Sequence, residues 1–290
     1  MRFGKATDDA FVAFGNEAET YDKNYSNNHD RYPDHIYRLR IFQDLLRTLG
    51  PETVLDAGCG SGVPLVEFLH SGYDAFGFDR SSEMVRVSRA RLTAEGLDAT
   101  RVFEGDLDSV VSPIVKSFDA VVALGTVYYT PDTKTTLRHL TTLTRPGGSL
   151  IFSLRNQLFS LCSMNEYSAE YLLQEIFPIA PLSDNLRSEL VNHFATRFPT
   201  TNVSRLFENV DSRNIKSHLH NPLLVEQELL QPNGLQLEGI YYYHFHALPP
   251  IFEHTHQQEF YELSSQREIP NDWRGLFTAS CFVVHATRPQ

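Results

Sequence analysis

Apolar and polar positions along the chain change period several times, and each change marks an element. IYRLRIFQDLLRTLG, Ile36 to Gly50, spaces its apolar residues at about i, i+3 and i+4 and stops at a glycine, which predicts a helix. From Pro51 to Leu154, short apolar runs alternate with helical periods, the pattern expected of parallel strands joined by helices. TVLDAG predicts the first strand, and SGVPLVEFLHSG the helix after it, closed by Gly72. YDAFGFDR is a second strand with an acid at its carboxyl end, followed by the helix SSEMVRVSRARLTAEG with its serine cap and glycine stop. TRVFEGD, SFDAVVALG and GGSLIFSL predict strands three to five, the last two as continuous apolar runs typical of strands covered on both faces. TPDTKTTLRHLTTLTRPGG supplies the helix between those two. Further on, PLLVEQELLQPNG predicts a helix, and GLQLEGIYYYHFH and GLFTASCFVVHAT two more strands.

The turn LDAGCGSG, between the first strand and its helix, carries glycines at Gly58, Gly60 and Gly62 behind the acid Asp56. Such turns serve dinucleotides, phosphates and nucleosides alike, so the neighbours must decide. A dinucleotide fingerprint wants its third glycine later, in the slot that Val63 fills, and a phosphate loop wants a Gly-Lys-Ser/Thr that is missing here. What remains is three acids at successive strand ends: Asp56, Asp79 and Asp106. The bare turn lets backbone approach a ligand, and the helix start beyond it favours a negative group such as an amino-acid carboxylate. Asp79 can accept from both hydroxyls of a ribose, and Asp106 sits where a purine amine could donate to it.

Composition narrows the partners. A net charge of -11 weighs against nucleic acid, whose binders show a basic footprint. Hydrophobic residues make up 41% of the 290, enough for a folded core, and no apolar run reaches the roughly 20 residues that span a bilayer. Cys59, Cys162 and Cys281 lie far apart without a CxxC pair, so they read as ordinary thiols in a reducing compartment. With no signal-peptide core at the amino terminus, a cytoplasmic protein is expected.

From about Tyr21 to Leu154 the chain resembles the class I S-adenosylmethionine-dependent methyltransferases. LDAGCGSG matches their glycine-rich first motif, GFDRSSEM the ribose-binding second strand, GDL the adenine contact, and LTRPGGSLIFSL the turn and strand closing the parallel half. The resemblance implies an α/β, Rossmann-like fold: a mostly parallel seven-stranded sheet with an antiparallel last strand, plus a helical lid insertion. It divides the chain into a helical segment 1–50, a cofactor-binding core 51–154, a lid 155–221, and a helix with a strand pair, 222–290, completing the sheet. It implies S-adenosylmethionine as cofactor and S-adenosylhomocysteine as product. Asp56 and the backbone of Ala57, Gly58 and Gly60 would hold the methionine portion, Asp79 the ribose, Arg80 and Met84 the faces of adenine, and Asp106 with Leu107 its edge. Tyr21 and Leu124 complete the cofactor residues, and Tyr128, Tyr129 and Arg155 face the acceptor.

Two segments are longer than this fold needs, Arg155 to Asn221 and Ala247 to Arg274. Long insertions in compact domains are usually functional. The first leaves the carboxyl edge of the sheet, where open α/β sheets bind ligands, and is expected to form a lid with helices around EYSAEYLLQEIF and LSDNLRSELVNHF. A dimer surface, giving a homodimer, is its alternative use. The sulfonium is a cation, for which aromatic faces are suited, so Tyr21, Tyr25, Tyr128 and Tyr129 are candidates beside it. ALGTVYYTPD lacks the Asp/Asn-Pro-Pro-Tyr run of nucleobase and glutamine methylation, which favours a small-molecule acceptor.

Histidines come in pairs at spacing two: His218 and His220, His244 and His246, His254 and His256. On a strand this spacing points both rings to one face. A metal would need a third ligand that nothing in the sequence fixes, and none is expected. A general base suits imidazole better, and His244 and His246, at the end of a strand bordering the pocket, are the candidates. The expected reaction is methyl transfer to a small molecule, on a hydroxyl oxygen. Amine methylation and a catalytically silent cofactor-binding subunit are the alternatives.

Overall fold

A computed structural model describes residues 32–109, 117–177, 182–198, 217–253 and 255–290. Tyr21, Tyr25 and His254 lie outside them.

Helix α1, Asp34–Leu49, turns His35, Arg38, Ile41, Phe42 and Leu46 inward, and Gly50 closes it in a left-handed cap whose N–H donates to the Leu46 carbonyl. Two βα units follow: β1 Thr53–Ala57 into α2 Val63–His70, and β2 Asp74–Asp79 into α3 Ser82–Ala94. Ser81 caps α3 by accepting from the Met84 N–H, as its position before an apolar period requires. Strands β3 Val102–Glu104 and β4 Phe118–Ala123, helix α4 Thr133–Leu143 and strand β5 Thr144–Asn156 complete the parallel half.

The order is β3-β2-β1-β4-β5-β8-β7, with β7 Gln236–Phe245 and β8 Ala279–Thr287. β8 runs antiparallel to β5 and β7 antiparallel to β8. The expected helix PLLVEQELLQPNG is tighter and looser by turns, a π-helical stretch Glu226–Leu230 leading into a 3-10 turn Gln231–Asn233. Pro232 accounts for part of this, since it has no N–H to continue a regular ladder.

The segment after β5 is not all helix. It contains helix α5, Glu166–Tyr171, running into a π-helical turn Leu172–Ile176, and helix α6, Asp184–Ala195, but then returns as an eighth strand, β6, Leu219–His220. β6 pairs in parallel with Arg155 and Asn156 at the end of β5. Two residues are too short a run to show a strand period, which is why the sequence gives no sign of it.

Successive residues of β4 feed opposite cores: Ala120 and Val122 pack with α1, α2 and α3 on one face, and Val121 and Ala123 with α4 and the 225–235 segment on the other. Burial on both faces is what the continuous apolar runs of β4 and β5 require. Phe42, Phe68, Phe78, Phe118, Phe152 and Phe282 are fully buried, each worth about 1.5–3 kcal/mol relative to exposure.

Candidate active site: two adjoining cavities

At the carboxyl edge of β1, β2 and β4, one cavity is lined by Asp56, Gly58, Gly60, Asp79, Arg80, Met84, Asp106, Leu107, Leu124 and Tyr129, joined by Arg38 and Thr126. Nearly every cofactor residue expected from the sequence is therefore brought to one place. Ala57 is fully buried behind the wall, where its carbonyl accepts from Thr126 Oγ1 at 3.4 Å.

The glycine turn is fixed by its second-strand neighbour. Asp79 Oδ2 accepts from the Gly60 N–H and Oδ1 from the Ser81 N–H, both at 2.9 Å, which leaves the carboxylate further lone pairs toward the cavity. Burial raises the Asp79 pKa, against the pull of these backbone donors from Ser81 and Gly60. Gly62 has φ +79°, and a Cβ there would stand 2.2 Å from Ser88 Oγ on α3. The early third glycine thus serves the packing of α3, the role that the later glycine of a dinucleotide turn plays for its own helix.

Asp56 is 1% exposed, and among the described residues neither of its carboxylate oxygens has a hydrogen-bond partner. Burial and the charge of Asp79 lift its pKa to about 8, with Arg38 pulling the other way. An orphaned carboxylate facing a cavity fits a ligand that brings a cationic donor, such as an α-amino group. Beside it Gly60 leaves open space where a Cβ would project. On the far side Arg80 pairs with Asp106 at 3.4 Å, while Met84 and Leu107 present apolar surface. These residues fit an adenosyl amino acid along the whole cavity.

Arg38 was not expected here, since its helix shows only amphipathic spacing. Its signal was a charge inside the apolar stripe of α1, three residues from both His35 and Ile41. Gly125, at φ +78°, makes room for it, because a Cβ there would lie 2.5 Å from an Arg38 guanidinium nitrogen.

A second cavity of about 350 Å³ adjoins at Tyr128 and Tyr129. Its wall includes Asp34, Tyr128, Arg155, His244, His246 and Cys281, with Phe159, Ser160 and Tyr167 from the segment after β5. Arg155 joins the two cavities: its guanidinium donates to Tyr129 Oη at 3.1 Å and lies 5.2 Å from the Tyr128 ring centroid.

His244 and His246 do meet, with ring centroids 4.8 Å apart. Tyr32 stacks on the outer face of His244 at 5.1 Å and Phe159 flanks His246 at 4.6 Å. Both nitrogens of His246 lack a partner among the described residues, and its burial, with His244 adding to it, holds its pKa well below the ordinary value. His244 behaves oppositely. Burial would lower it, but a hydrogen bond with Cys281 and the charge of Asp34 outweigh that and lift it to about 9. One ring of the pair is therefore neutral and the other cationic at neutral pH. His218 and His220 flank this cavity without lining it: the His218 N–H donates to the Tyr128 carbonyl at 2.8 Å, and His220 Nε2 lies 3.1 Å from Thr133 Oγ1. Among the described residues no group of three or more His, Cys, Asp or Glu is arranged to hold a metal ion, and no helix is long and apolar enough to cross a membrane.

Residues 54–148 match the family model described as methyltransferase domain. The chain is 29% identical over 143 residues to the ubiquinone biosynthesis O-methyltransferase of Photorhabdus laumondii, spanning 49% of this chain and 59% of that one. It is 26% identical over 200 residues to the protein of the same name from Proteus mirabilis, spanning 68% and 76% respectively. In the first of these the match covers less than two thirds of the relative's length. Among solved structures, an S-adenosylmethionine-dependent methyltransferase from Clostridium acetobutylicum shares the fold at a TM-score of 0.54 and 13% identity, over 96% of this chain and all of that one. The chain is therefore similar to S-adenosylmethionine-dependent methyltransferases, in sequence over a methyltransferase domain and in fold over nearly its whole length.

Proposed function

We propose that this protein transfers a methyl group from S-adenosylmethionine to a hydroxyl oxygen of a small molecule bound in the cavity beside His246. The observation that carries the reading is the junction of the two cavities. Tyr129 lines the one whose residues fit the cofactor, Tyr128 lines the other, and Arg155 contacts both rings. The names of the ubiquinone biosynthesis relatives support oxygen over nitrogen as the acceptor atom.

When bound, the cofactor supplies a methyl group on a positively charged sulfur, open to in-line displacement. Asp56 with the Gly58 and Gly60 backbone would hold the amino-acid end, Asp79 the ribose, and Arg80, Met84, Asp106 and Leu107 the base. Tyr128, Tyr129 and Arg155 would orient the acceptor, and Phe159, Ser160 and Tyr167 in the wall would help to keep water from it, which would raise the value of the polar contacts inside. An alcohol must lose its proton as it attacks. His246, neutral and unpartnered, is the group placed to receive that proton, while the charged His244 cannot accept one.

The test is incubation with methyl-labelled S-adenosylmethionine and a panel of small hydroxylated and amino acceptors, with identification of the labelled product. Label on nitrogen would convert the reading to amine methylation. Cofactor binding without turnover on any acceptor would favour the silent subunit. A second use of the segment after β5 is self-association into a homodimer, favoured by the exposed Met164, Ile176, Phe177 and Leu186 upon it; sedimentation of an Ile176→Ser, Leu186→Ser variant tests it. Three free thiols suit a reducing compartment, in keeping with a cytoplasmic location.

A further inference from the structure

Cys281 is one of three free cysteines, and its surroundings differ from those of the other two. On β8 it stands directly opposite Arg155 of β5 on one side and Tyr243 of β7 on the other. Directly opposed residues share a face, so the guanidinium and the thiol are neighbours. Alternation along β7 would turn His244 away from that face. Instead His244 has φ +59°, one of two non-glycine residues with positive φ among those described, and it lines the same cavity as Cys281. A left-handed backbone at a non-glycine residue costs free energy and persists where the surroundings fix it. Glu268 does so here: its carboxylate accepts from the His244 N–H at 3.3 Å, the Phe245 N–H at 2.8 Å and Tyr32 Oη at 2.6 Å.

The Ser280 hydroxyl lies 3.8 Å from the sulfur, a further weak donor. Asp34 is the opposing negative charge on this cavity, and the Tyr128 and Tyr243 phenols are held un-ionised by burial. Burial raises the pKa of the Cys281 thiol, but the His244 imidazolium with the Arg155 guanidinium outweighs burial and lowers it, the setting in which a thiol is deprotonated and reactive. His246, 8% exposed and without a hydrogen-bond partner among the described residues, faces the same space, so the cavity offers unspent polar capacity beside the sulfur.

We propose that Cys281 and His244 form a thiolate–imidazolium pair in the wall of the second cavity, a site of covalent modification for small α,β-unsaturated carbonyl compounds. In the addition the sulfur forms a bond to the β-carbon and the alkene π electrons move toward the carbonyl. The His244 imidazolium then gives its proton to the α-carbon, which leaves a thioether and a neutral imidazole. No oxidant or leaving group is involved. The inference is independent of the methyltransferase reading, because it needs neither cofactor nor acceptor.

The probe is acrylamide at low concentration on the full chain, with adducts located by peptide mass spectrometry. Cys59, buried like Cys281 but lining the first cavity, and Cys162, part exposed, serve as internal controls. Cys281 is expected to be modified about tenfold or more faster than either, at a rate that rises less steeply from about pH 6 to about pH 8 than the roughly tenfold per pH unit of an ordinary thiol of pKa about 8.5. His244→Gln is expected to slow Cys281 by about tenfold or more and restore the ordinary slope. Faster modification of Cys162, or a rate at Cys281 unchanged in His244→Gln, overturns the proposal. If that variant does not fold, the wild-type pH profile decides: a slope shallower than the ordinary one sustains the pair and an ordinary slope removes it.

Discussion

The two cavities are built in different ways. The first draws its lining from short stretches that follow each other in order, 56–64, 78–84, 105–107 and 124–129, with Arg38 as the one distant contributor. The second gathers single residues from positions 34, 128, 155–167, 217–219, 244–250 and 280–281. In the first, the polar groups are set by turns and strand ends, which a sequence displays. In the second they are set by register and by one strained residue, which it does not. A site written in local geometry is tied to a cofactor common to a family, whereas one assembled across strands is free to change its acceptor.

The largest effect is expected at the proposed base of the second cavity. His246→Gln should lower single-turnover methylation by about 10²–10⁴-fold, the range of a general base, and leave S-adenosylhomocysteine affinity nearly unchanged. With its pKa held well below the ordinary value, His246 stays neutral as pH falls through 6.5, so no acid limb is expected in that range. Full activity in the variant would leave an already ionised acceptor as the better account. The same mutation separates the cavities: a loss in cofactor affinity as large as the loss in rate would mean that they are one site.

The first cavity should respond in binding. Asp79→Ala removes the acceptor of the Gly60 and Ser81 N–H groups as well as the proposed ribose partner, and should weaken S-adenosylhomocysteine by about 1–3 kcal/mol in calorimetry. Binding at wild-type strength would show that the carboxylate serves the turn alone. Gly62→Ala, by contrast, should act on folding, because its Cβ would overlap Ser88 in a left-handed backbone; a loss of about 1–3 kcal/mol is expected from denaturant midpoints.

Legibility follows the same division. LDAGCGSG, GFDRSSEM and GDL name the cofactor cavity because each carries a residue type at a strand end, where position follows from local pattern alone. Every core strand is likewise visible as an apolar run. Arg38 is half legible, as a charge in an apolar stripe. Cys281 is not, since its meaning arises from standing opposite Arg155, 126 residues away in the chain, and near a His244 turned by Glu268, which lies 24 residues from that histidine. The spacing of His244 and His246 does suggest that the rings meet, but not that one is charged and the other neutral, which depends on Asp34 and Cys281 arriving from other elements.

The smallest expected effect concerns a proton in the first cavity. Asp56 has its pKa lifted to about 8 by burial and by Asp79, so without ligand it is mostly protonated at neutral pH. In the unfolded chain an aspartate releases its proton near pH 4. This group therefore favours the folded state most below that pH, and its contribution fades as pH rises toward 8. Binding reverses the balance: a ligand amine at the orphaned carboxylate favours the ionised form, so S-adenosylhomocysteine should release a proton from Asp56 as it binds. Its affinity is then expected to rise with pH between about 6 and about 8, by no more than tenfold per unit because one proton is involved. Calorimetry in buffers of different ionisation enthalpy reads that proton directly. In Asp56→Asn the slope should vanish while some affinity remains from Asp79 and the backbone. A slope that survives the substitution would place the proton on the ligand or on Asp79, and would end the contrast between a first cavity that gives up a proton on binding and a second that takes one during turnover.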